Sequence, residues 1–283
     1  MNDKLPVSEV QYERLNGSPS FGDYWIARNP FIQEELFDQV IQGVNPANWI
    51  VRLLQRFSKK GTLVLDIGSN IGCFAIPAAL LGYEVIAFEA SAPNIELLGE
   101  SLKKNGLSNV RLIHAAVVES NGDVDFVGGG LTGHVSNGEQ FGEHFRVPGI
   151  AIDEFLSDAE IAKISFIKID IEGSEPAAFK GMSRILGKTT TNAPVIVFES
   201  NSTTLARVGL KPEELMKQIA DCGYYLYRIT PGYFTELTQI DLPYVQPAKL
   251  IDCLAVKKKI SWWSRHNWQI LLQRIKQRLS FYR

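Results

Sequence analysis

The sequence predicts an α/β fold in which a mostly parallel sheet carries helices on both faces. From residue 62 onwards, short apolar segments alternate with segments long enough for helices. The run Leu63–Leu65 is apolar and partly β-branched, which suits a strand that is buried on both faces. Pro93 and Pro212 stand where the first turn of a helix tolerates proline. Together these observations favour alternating strands and helices around one sheet.

The predicted elements follow one another along the chain in this alternation. We predict strands at residues 62–67, 84–89, 110–114, 164–169, 194–199, 224–229 and 251–256. We predict helices at about residues 71–82, 93–105, 174–186 and 211–221. Pro77 falls inside the first of these helices, which should therefore be short or kinked.

The chain of 283 residues divides into three predicted regions. Residues 1–60 form an N-terminal extension that we expect to be irregular at first and helical over 31–57. Residues 61–256 form the main domain. It contains a glycine-rich insertion at 121–150, which we expect to act as a lid or substrate loop because long insertions at a ligand edge are often functional. Residues 257–283 form the third region.

This third region is strongly basic. Eight Lys or Arg lie from Lys257 to the end, and no Asp or Glu follows Asp252, although the whole chain has a formal charge of −2. Apolar residues from Trp268 to Tyr282 recur at helical spacing, which predicts a basic amphipathic helix. Such a helix can lie in an anionic membrane interface; the alternative is packing on the acidic body or on a second copy in a homodimer. This uneven charge favours an interaction tail over a nucleic-acid-binding body.

Cysteine usage and hydropathy indicate the compartment. Cys73, Cys222 and Cys253 lie far apart without metal-binding spacing, so we expect no disulfide framework and no metal site. The first residues lack the apolar core of a signal peptide, and no segment approaches the ~20 apolar residues that span a bilayer. We therefore expect a cytoplasmic protein, at most peripheral at the inner face of the membrane.

The turn after the first predicted strand has the composition of a ligand-binding turn. Asp66 comes where the strand should end, and Gly68 and Gly72 follow with Ser69 and Asn70 between them. Glycine lets the backbone adopt positive φ and approach a ligand closely. A dinucleotide turn would need G-x-G-x-x-G, and Asn70 replaces its second glycine. A Walker A loop is excluded because no G-K-[ST] follows.

A cofactor without phosphates suits these residues better, and S-adenosylmethionine is such a cofactor. An acidic side chain such as Asp66 can hold its ammonium group. Glu89, at the end of the second predicted strand, can accept hydrogen bonds from both ribose hydroxyls. Ala116, after the third strand, leaves room for the adenine ring. The predicted cofactor-binding residues are therefore Asp66, Gly68, Asn70, Gly72, Glu89 and Ala116.

Four sequence blocks resemble the FkbM-type methyltransferases, a class I, S-adenosylmethionine-dependent family. The blocks come in the family's order: V-L-D-I-G-S-N-I-G (64–72), V-I-A-F-E-A (85–90), H-A-A-V (114–117) and F-I-K-I-D-I-E-G-S-E (166–175). The resemblance implies a Rossmann-like, doubly wound, mostly parallel seven-stranded sheet that ends in an antiparallel hairpin. It also implies O-methylation of hydroxyls on sugars, glycans or polyketide-type metabolites.

The candidate catalytic residues are Asp170, Glu172 and His134. Asp170 and Glu172 follow the fourth strand, where a carboxylate pair could take a proton from an acceptor hydroxyl or hold a cation that does so. We favour the first role. His134, in the glycine-rich insertion, is a further candidate base or substrate contact. We expect Glu175 to cap the following helix and Glu199 to contact substrate.

Together with the site residues, the resemblance implies an O-methyltransferase that acts on a hydroxyl of a sugar, a glycan precursor or a secondary metabolite. Two alternatives stay open at this point. One is an N-methyltransferase that acts on an amino sugar or small amine, because alignment of the reacting groups works without a base. The other is a cofactor-binding scaffold protein that has lost catalysis.

Overall fold

The computed structural model describes residues 10–29, 42, 45–128, 133–138, 142–230, 236–242 and 250–260. Its strands are β1 (Gln11–Leu15), β2 (Tyr24–Arg28), β3 (Leu63–Ile67), β4 (Glu84–Glu89), β5 (Val110–His114), β6 (Ala116–Val117), β7 (Gly122–Val127), β8 (His134–Val135), β9 (His144–Ile150), β10 (Ile164–Ile169), β11 (Val195–Asn201), β12 (Tyr225–Thr230), β13 (Glu236–Gln239) and β14 (Leu250–Val256). Its helices are α1 (Asn48–Phe57), α2 (Ala75–Leu80), α3 (Ala92–Lys104), α4 (Ile152–Phe155), α5 (Asp158–Lys163), α6 (Glu175–Lys180), α7 (Ser183–Leu186), α8 (Ser202–Arg207) and α9 (Pro212–Asp221).

The central sheet has the strand order β13-β12-β14-β11-β10-β3-β4-β5. The five strands from β11 to β5 are parallel, and β14, β12 and β13 add antiparallel pairs at one edge. The predicted doubly wound α/β class is confirmed, but the sheet has eight strands and not seven. The extra strand, β13, is four residues long and reads E-L-T-Q, so it carries little of the apolar pattern that marks the others.

Two apolar cores cover the two faces of this sheet. Along β3, Leu63, Leu65 and Ile67 pack into one core and Val64 into the other, as strand alternation requires. Helices α1, α2 and α3 contribute residues to the core that contains Val64. Helices α6, α7 and α9 contribute residues to the core on the opposite face, where the rings of Phe179 and Phe198 pack edge-on with centroids 5.3 Å apart. Helix α2 spans only six residues, in keeping with Pro77 inside it.

The described part of the N-terminal extension contains an antiparallel hairpin, β1–β2. This corrects the prediction of irregular structure for residues 10–29, and residues 1–9 lie outside the described residues. The hairpin is fastened to α3 by side chains of that helix. Ser101 Oγ accepts a hydrogen bond from the Ala27 amide at 2.8 Å, and Asn105 both accepts from the Trp25 amide and donates to its carbonyl. Of the predicted helical region 31–57, α1 is described, whereas residues 31–41 lie outside the described residues.

The glycine-rich insertion contributes β7, β8 and β9 to a second, four-stranded sheet of order β6-β9-β7-β8, in which β6 precedes the insertion. Its strands flank residues 129–132 and 139–141, which lie outside the described residues. Phe126 and Val147 pack in a small core beneath it. The strands were not predicted because the glycines obscure the alternation of the segment.

The C-terminal region is described only as far as Ile260, so the predicted amphipathic helix falls almost wholly outside the described residues. The Lys257 side chain contacts the main domain, where its Nζ donates a hydrogen bond to the Lys188 carbonyl at 2.6 Å. Within the described ranges, no helix combines the length and apolarity needed to cross a membrane.

The attachment of the hairpin to α3 yields a stability prediction. Asn105→Ala removes both hydrogen bonds to Trp25 and should lower the free energy of unfolding by about 1–3 kcal/mol. Gly99→Ala in the same helix is the matched control, because an added Cβ there meets no atom within 4 Å. It should raise stability by about 0.5–1 kcal/mol. Urea denaturation measures both, and equal stability of the Asn105 variant and the wild type would contradict the attachment.

Candidate functional site

The turn after β3 is held between two neighbouring strands. Gly68 has φ 77°, and a Cβ on it would lie 1.9 Å from the Asp170 carbonyl oxygen, so only glycine fits. The amides of Gly68 and Ser69 both donate to the Phe88 carbonyl at 3.0 Å. Asn70 also has positive φ, at 49°, which asparagine tolerates better than most residues. The turn is thus fixed to the ends of β4 and β10.

Glu89 ends β4 directly beside this turn. Its Oε2 accepts the Asn70 amide at 2.7 Å, and its Oε1 accepts the Ser91 amide at 2.9 Å. Burial raises the pKa of the Glu89 carboxyl, and these two N–H donors, together with the Lys168 charge and a hydrogen bond from the Asn94 side chain, act in the opposite direction. A carboxylate has about four lone-pair sites, so three donors leave it some acceptor capacity. Glu89 can therefore still accept from a ligand while its protein partners fix its orientation.

Asp66 is the most deeply buried acidic side chain of the site, with 0% exposure. Neither of its carboxylate oxygens has a hydrogen-bond partner among the described residues. Lys168 Nζ lies 3.6 Å from Asp66 Oδ1, which is an ion pair but too long for a hydrogen bond. Burial raises the pKa of Asp66 to about 6, and the Lys168 charge limits that rise.

Lys168 is a site residue that the sequence analysis missed. It is only 8% exposed, its Nζ donates to the Gly68 carbonyl at 2.5 Å, and it lies 3.5 Å from Asp170 Oδ2. Burial lowers its pKa, but the carboxylates of Asp170, Asp66 and Glu89 outweigh burial, so the pKa is raised overall. The available signal was a lysine inside the otherwise apolar strand I-S-F-I-K-I.

Carboxylates gather beyond the end of β10. The strand stops at Ile169 and Glu172 has a left-handed φ of 55°, so strand alternation does not place Asp170 and Glu172 on one face. Burial and the Asp170 charge raise the pKa of Glu172. Burial, with Asp170 and Glu172, raises the pKa of Glu199 to about 8. Asp252, also missed, stands opposite Glu199 in the β11–β14 pairing.

One open cavity of about 430 Å³ joins these groups. All the predicted site residues but one line it: Asp66, Gly68, Asn70, Glu89, Ala116, His134, Asp170 and Glu172. Lys168 and Glu199 line it as well. The strands β6 and β8 of the small sheet bring Ala116 and His134 to its wall, so the insertion closes one side of the cavity.

Gly72 is the predicted residue that the structure does not place among the lining residues. Its φ is 96°, and an added Cβ would lie 2.4 Å from Leu98 Cδ1 on α3. Gly72 therefore lets helix and turn pack closely. Glu175, expected to cap α6, instead accepts the amides of Ile171 and Gly173 and so stabilises the loop before the helix. Burial raises its pKa to about 7.

Metal binding is not favoured by the arrangement of these side chains. Within the residues that the structure describes, no group of three or more His, Cys, Asp or Glu side chains is placed to hold a metal ion. Asp170 is paired with Lys168, and the carboxylates approach the cavity from different strands.

The family described as the methyltransferase FkbM domain matches residues 66–226, which is more than half of the chain. The chain belongs to the FkbM methyltransferase family. The match begins at Asp66 and includes Glu89, Lys168 and Asp170. It confirms the predicted family and, with it, S-adenosylmethionine as the cofactor of the domain.

A curated relative of this FkbM protein is the hexuronic acid methyltransferase AglP of Haloferax volcanii. The two are 26% identical over 137 residues, which cover 48% of this chain and 56% of AglP. The chain thus spans about half the length of the curated relative that it matches.

Two solved structures that match this chain are less similar to it in sequence. A precorrin-6y C5,15-methyltransferase from Geobacter metallireducens is 16% identical with a TM-score of 0.42, over 74% of this chain and 87% of that one. The 16S rRNA N2 G1207 methyltransferase of T. thermophilus, solved with AdoMet and guanosine, is 15% identical with a TM-score of 0.47, over 90% and 52% of the chains.

The side chains of the FkbM domain fit S-adenosylmethionine. The carboxylate of Asp66, whose oxygens accept no hydrogen bond from the described residues, suits an ammonium group. Glu89 retains lone pairs for ribose hydroxyls. At Gly68 the close approach of the Asp170 carbonyl leaves no room for a side chain, so the turn presents bare backbone to the cavity.

The packing at Gly68 can be tested against a second glycine of the same conformation. Gly61 also has φ 77°, but an added Cβ there meets no atom within 4 Å. Gly61→Ala should cost only the strain of a left-handed alanine, about 1–2 kcal/mol. Gly68→Ala should cost more, because the turn must also move away from Asp170, and should weaken S-adenosylhomocysteine binding. Denaturation and calorimetry measure the two effects; equal losses for both variants would contradict the close packing.

Proposed function

We propose that this FkbM protein is an S-adenosylmethionine-dependent O-methyltransferase whose acceptor is a hydroxyl of a sugar, a glycan precursor or a secondary metabolite. One observation carries the proposal. A single cavity joins the turn and Glu89, which suit the cofactor, to the carboxylates after β10, which suit an acceptor. The curated relative, a hexuronic acid methyltransferase, supports a sugar-type acceptor.

The cofactor end of the cavity is assigned by the chemistry of its residues. Glu89 would accept from the ribose hydroxyls, Asp66 would pair with the ammonium group, and Ala116 would lie against the adenine. Gly68 and Asn70 would present their backbone to the amino-acid end. When bound, S-adenosylmethionine supplies an electrophilic methyl group on a sulfonium.

The acceptor end contributes orientation and proton transfer. Asp170, Glu172 and His134 line this part of the cavity, and Glu199 lies with them. A general base works best when its pKa is near the operating pH. The raised pKa of Glu172 moves it in that direction, so Glu172 is suited to take the hydroxyl proton while Asp170 and His134 orient the acceptor.

The charge at the acceptor end of the cavity affects which acceptors can bind. Among the described lining residues, Asp170, Glu172 and Glu199 contribute acidic groups at this end, and Lys168, which also lines the cavity, is hydrogen-bonded to the Gly68 carbonyl. Burial and the neighbouring carboxylates raise the pKa of Glu199 to about 8, so at neutral pH the repulsion of an anionic acceptor comes mainly from Asp170 and Glu172. A neutral polyol meets these two carboxylates without the repulsion that a uronate would meet. An amino sugar would also be tolerated, which keeps N-methylation as the second candidate.

The remaining interactions are proposals as well. The insertion at 121–150 is proposed as a wall over the acceptor, because it carries His134 to the cavity. The basic region 257–283 is proposed to contact an anionic membrane surface at the cytoplasmic face, with a homodimer contact as the alternative. Nucleic acid is not proposed as a partner.

Cofactor binding should depend on Glu89. Glu89→Ala removes the ribose acceptor and the partner of two backbone amides, so S-adenosylhomocysteine should bind at least about a hundredfold more weakly. Glu89→Gln, which keeps one acceptor oxygen, should give a smaller loss. The control is Glu84→Ala at the exposed start of the same strand, and it should bind normally. Calorimetric titration measures all three, and normal binding by Glu89→Ala would contradict the cofactor assignment.

The acceptor class should be revealed by a methyl-transfer assay with radiolabelled S-adenosylmethionine. We expect transfer to neutral sugars, with little to uronates. Glu172→Gln should lower kcat by about 10²–10⁴ while S-adenosylhomocysteine affinity stays within a few-fold. Transfer mainly to amino sugars would favour N-methylation. If the protein binds the cofactor but methylates none of the neutral sugars, uronates and amino sugars tested, the scaffold alternative would be favoured. A preference for uronates would contradict the charge argument.

A further inference from the structure

Lys168 has no role in the chemistry proposed above, although it is buried at the centre of the site. Among the described residues that line the cavity, it is the one lysine or arginine. Placing an ammonium group in a buried position is costly unless charged and hydrogen-bonding partners surround it. The partners of Lys168 therefore indicate what it does.

The geometry of Lys168 directs it to the turn and away from an acceptor. It is the Cα partner of Asp66 in the β3–β10 pairing, so the two side chains leave neighbouring strands together. Its Nζ lies 2.5 Å from the Gly68 carbonyl, 3.6 Å from Asp66 and 3.5 Å from Asp170. These three oxygens surround the ammonium group from the turn, from β3 and from the end of β10.

We propose that Lys168 is a positioning residue that fixes the Gly68 carbonyl and keeps Asp66 ionised, so that the turn can bind the ammonium end of S-adenosylmethionine at neutral pH. This inference rests on the proposed function, because it assumes that the turn binds this cofactor. Lys168 acts through Asp66 and Gly68 and does not itself take part in methyl transfer.

The charges around Asp66 determine whether the loss of Lys168 raises or lowers the pKa of Asp66. Burial favours its neutral form, and the negative charges of Asp170 and Glu89 add to that tendency. Lys168 opposes them. The nearby Cys73 thiol is neutral, because burial raises its pKa to about 12. Without Lys168, the pKa of Asp66 should rise further, and a larger fraction of Asp66 would be protonated at neutral pH and unable to pair with a cation.

The test is calorimetric binding of S-adenosylhomocysteine between about pH 5.5 and about pH 7.5, where the ligand's amino group stays mostly protonated. In the wild type, affinity should fall as the pH drops through about 6, where Asp66 becomes protonated. Lys168→Met should bind about ten- to a hundredfold more weakly at neutral pH. Its affinity should recover as the pH rises, because Asp66 then ionises. Lys168→Arg keeps the charge and should retain the wild-type pH midpoint.

The matched control is Lys180→Met. Lys180 is an exposed lysine that also pairs with a carboxylate, that of Glu119 at 3.0 Å, and its loss should leave affinity and pH profile unchanged. A folded Lys168→Met variant with wild-type affinity at neutral pH, or with an unshifted pH midpoint, would overturn the proposal.

A second variant keeps the proposal testable if Lys168→Met does not fold. Asp66→Asn leaves Lys168 with Asp170 and the Gly68 carbonyl. It should bind weakly, and its affinity should no longer change between about pH 5.5 and about pH 7.5. A wild-type pH profile in Asp66→Asn would overturn the role of Lys168. If the wild type itself fails to bind S-adenosylhomocysteine, the proposed function fails, which is a different outcome from either of these.

Discussion

The buried contact among Lys168, Asp66 and the Gly68 carbonyl is the constraint on which the site depends. It exists because β10 lies next to β3 in the sheet and pairs in a register that sets Lys168 against Asp66. Three elements meet there: the end of β3, the turn and the end of β10. A charge removed from water must be compensated by its neighbours. The contact therefore joins the local structure of the turn to the strand order of the whole sheet.

The same parallel register collects the remaining groups at one edge. Ile67 is level with Phe88 in the β3–β4 pairing, so the turn after β3 meets Glu89 at the end of β4. The neighbour on the other side, β10, ends level with Ile67 and leads into Asp170. The small sheet then covers this edge with residues from the insertion. The groups proposed to bind cofactor and acceptor are thus adjacent because adjacent strands end at the same level.

Much of this arrangement is predictable from the sequence, since its signals are local. The parallel strands are short apolar runs, Gly68 has positive φ, and Glu89 is the last residue of a strand. Other features depend on contacts that are distant in sequence. In the sequence, Lys168 only interrupts an apolar strand, and its role becomes visible when β10 pairs with β3. Asp252 likewise cannot be assigned to the site until β14 pairs with β11 and sets it opposite Glu199. The first hairpin is similarly held by α3, about 80 residues away.

The ionisation of Asp66 is the central claim that a single measurement can address. Carbon-13 NMR of aspartate-labelled protein would follow the Asp66 carboxyl, assigned by the resonance that Asp66→Asn loses. The predicted result is a midpoint near a pKa of about 6 in the free protein, because burial disfavours the charged form. Saturating S-adenosylhomocysteine should lower this midpoint, since its ammonium group stabilises the carboxylate. A midpoint close to that of a free aspartate, about 3.9, and unchanged by the ligand would contradict the account.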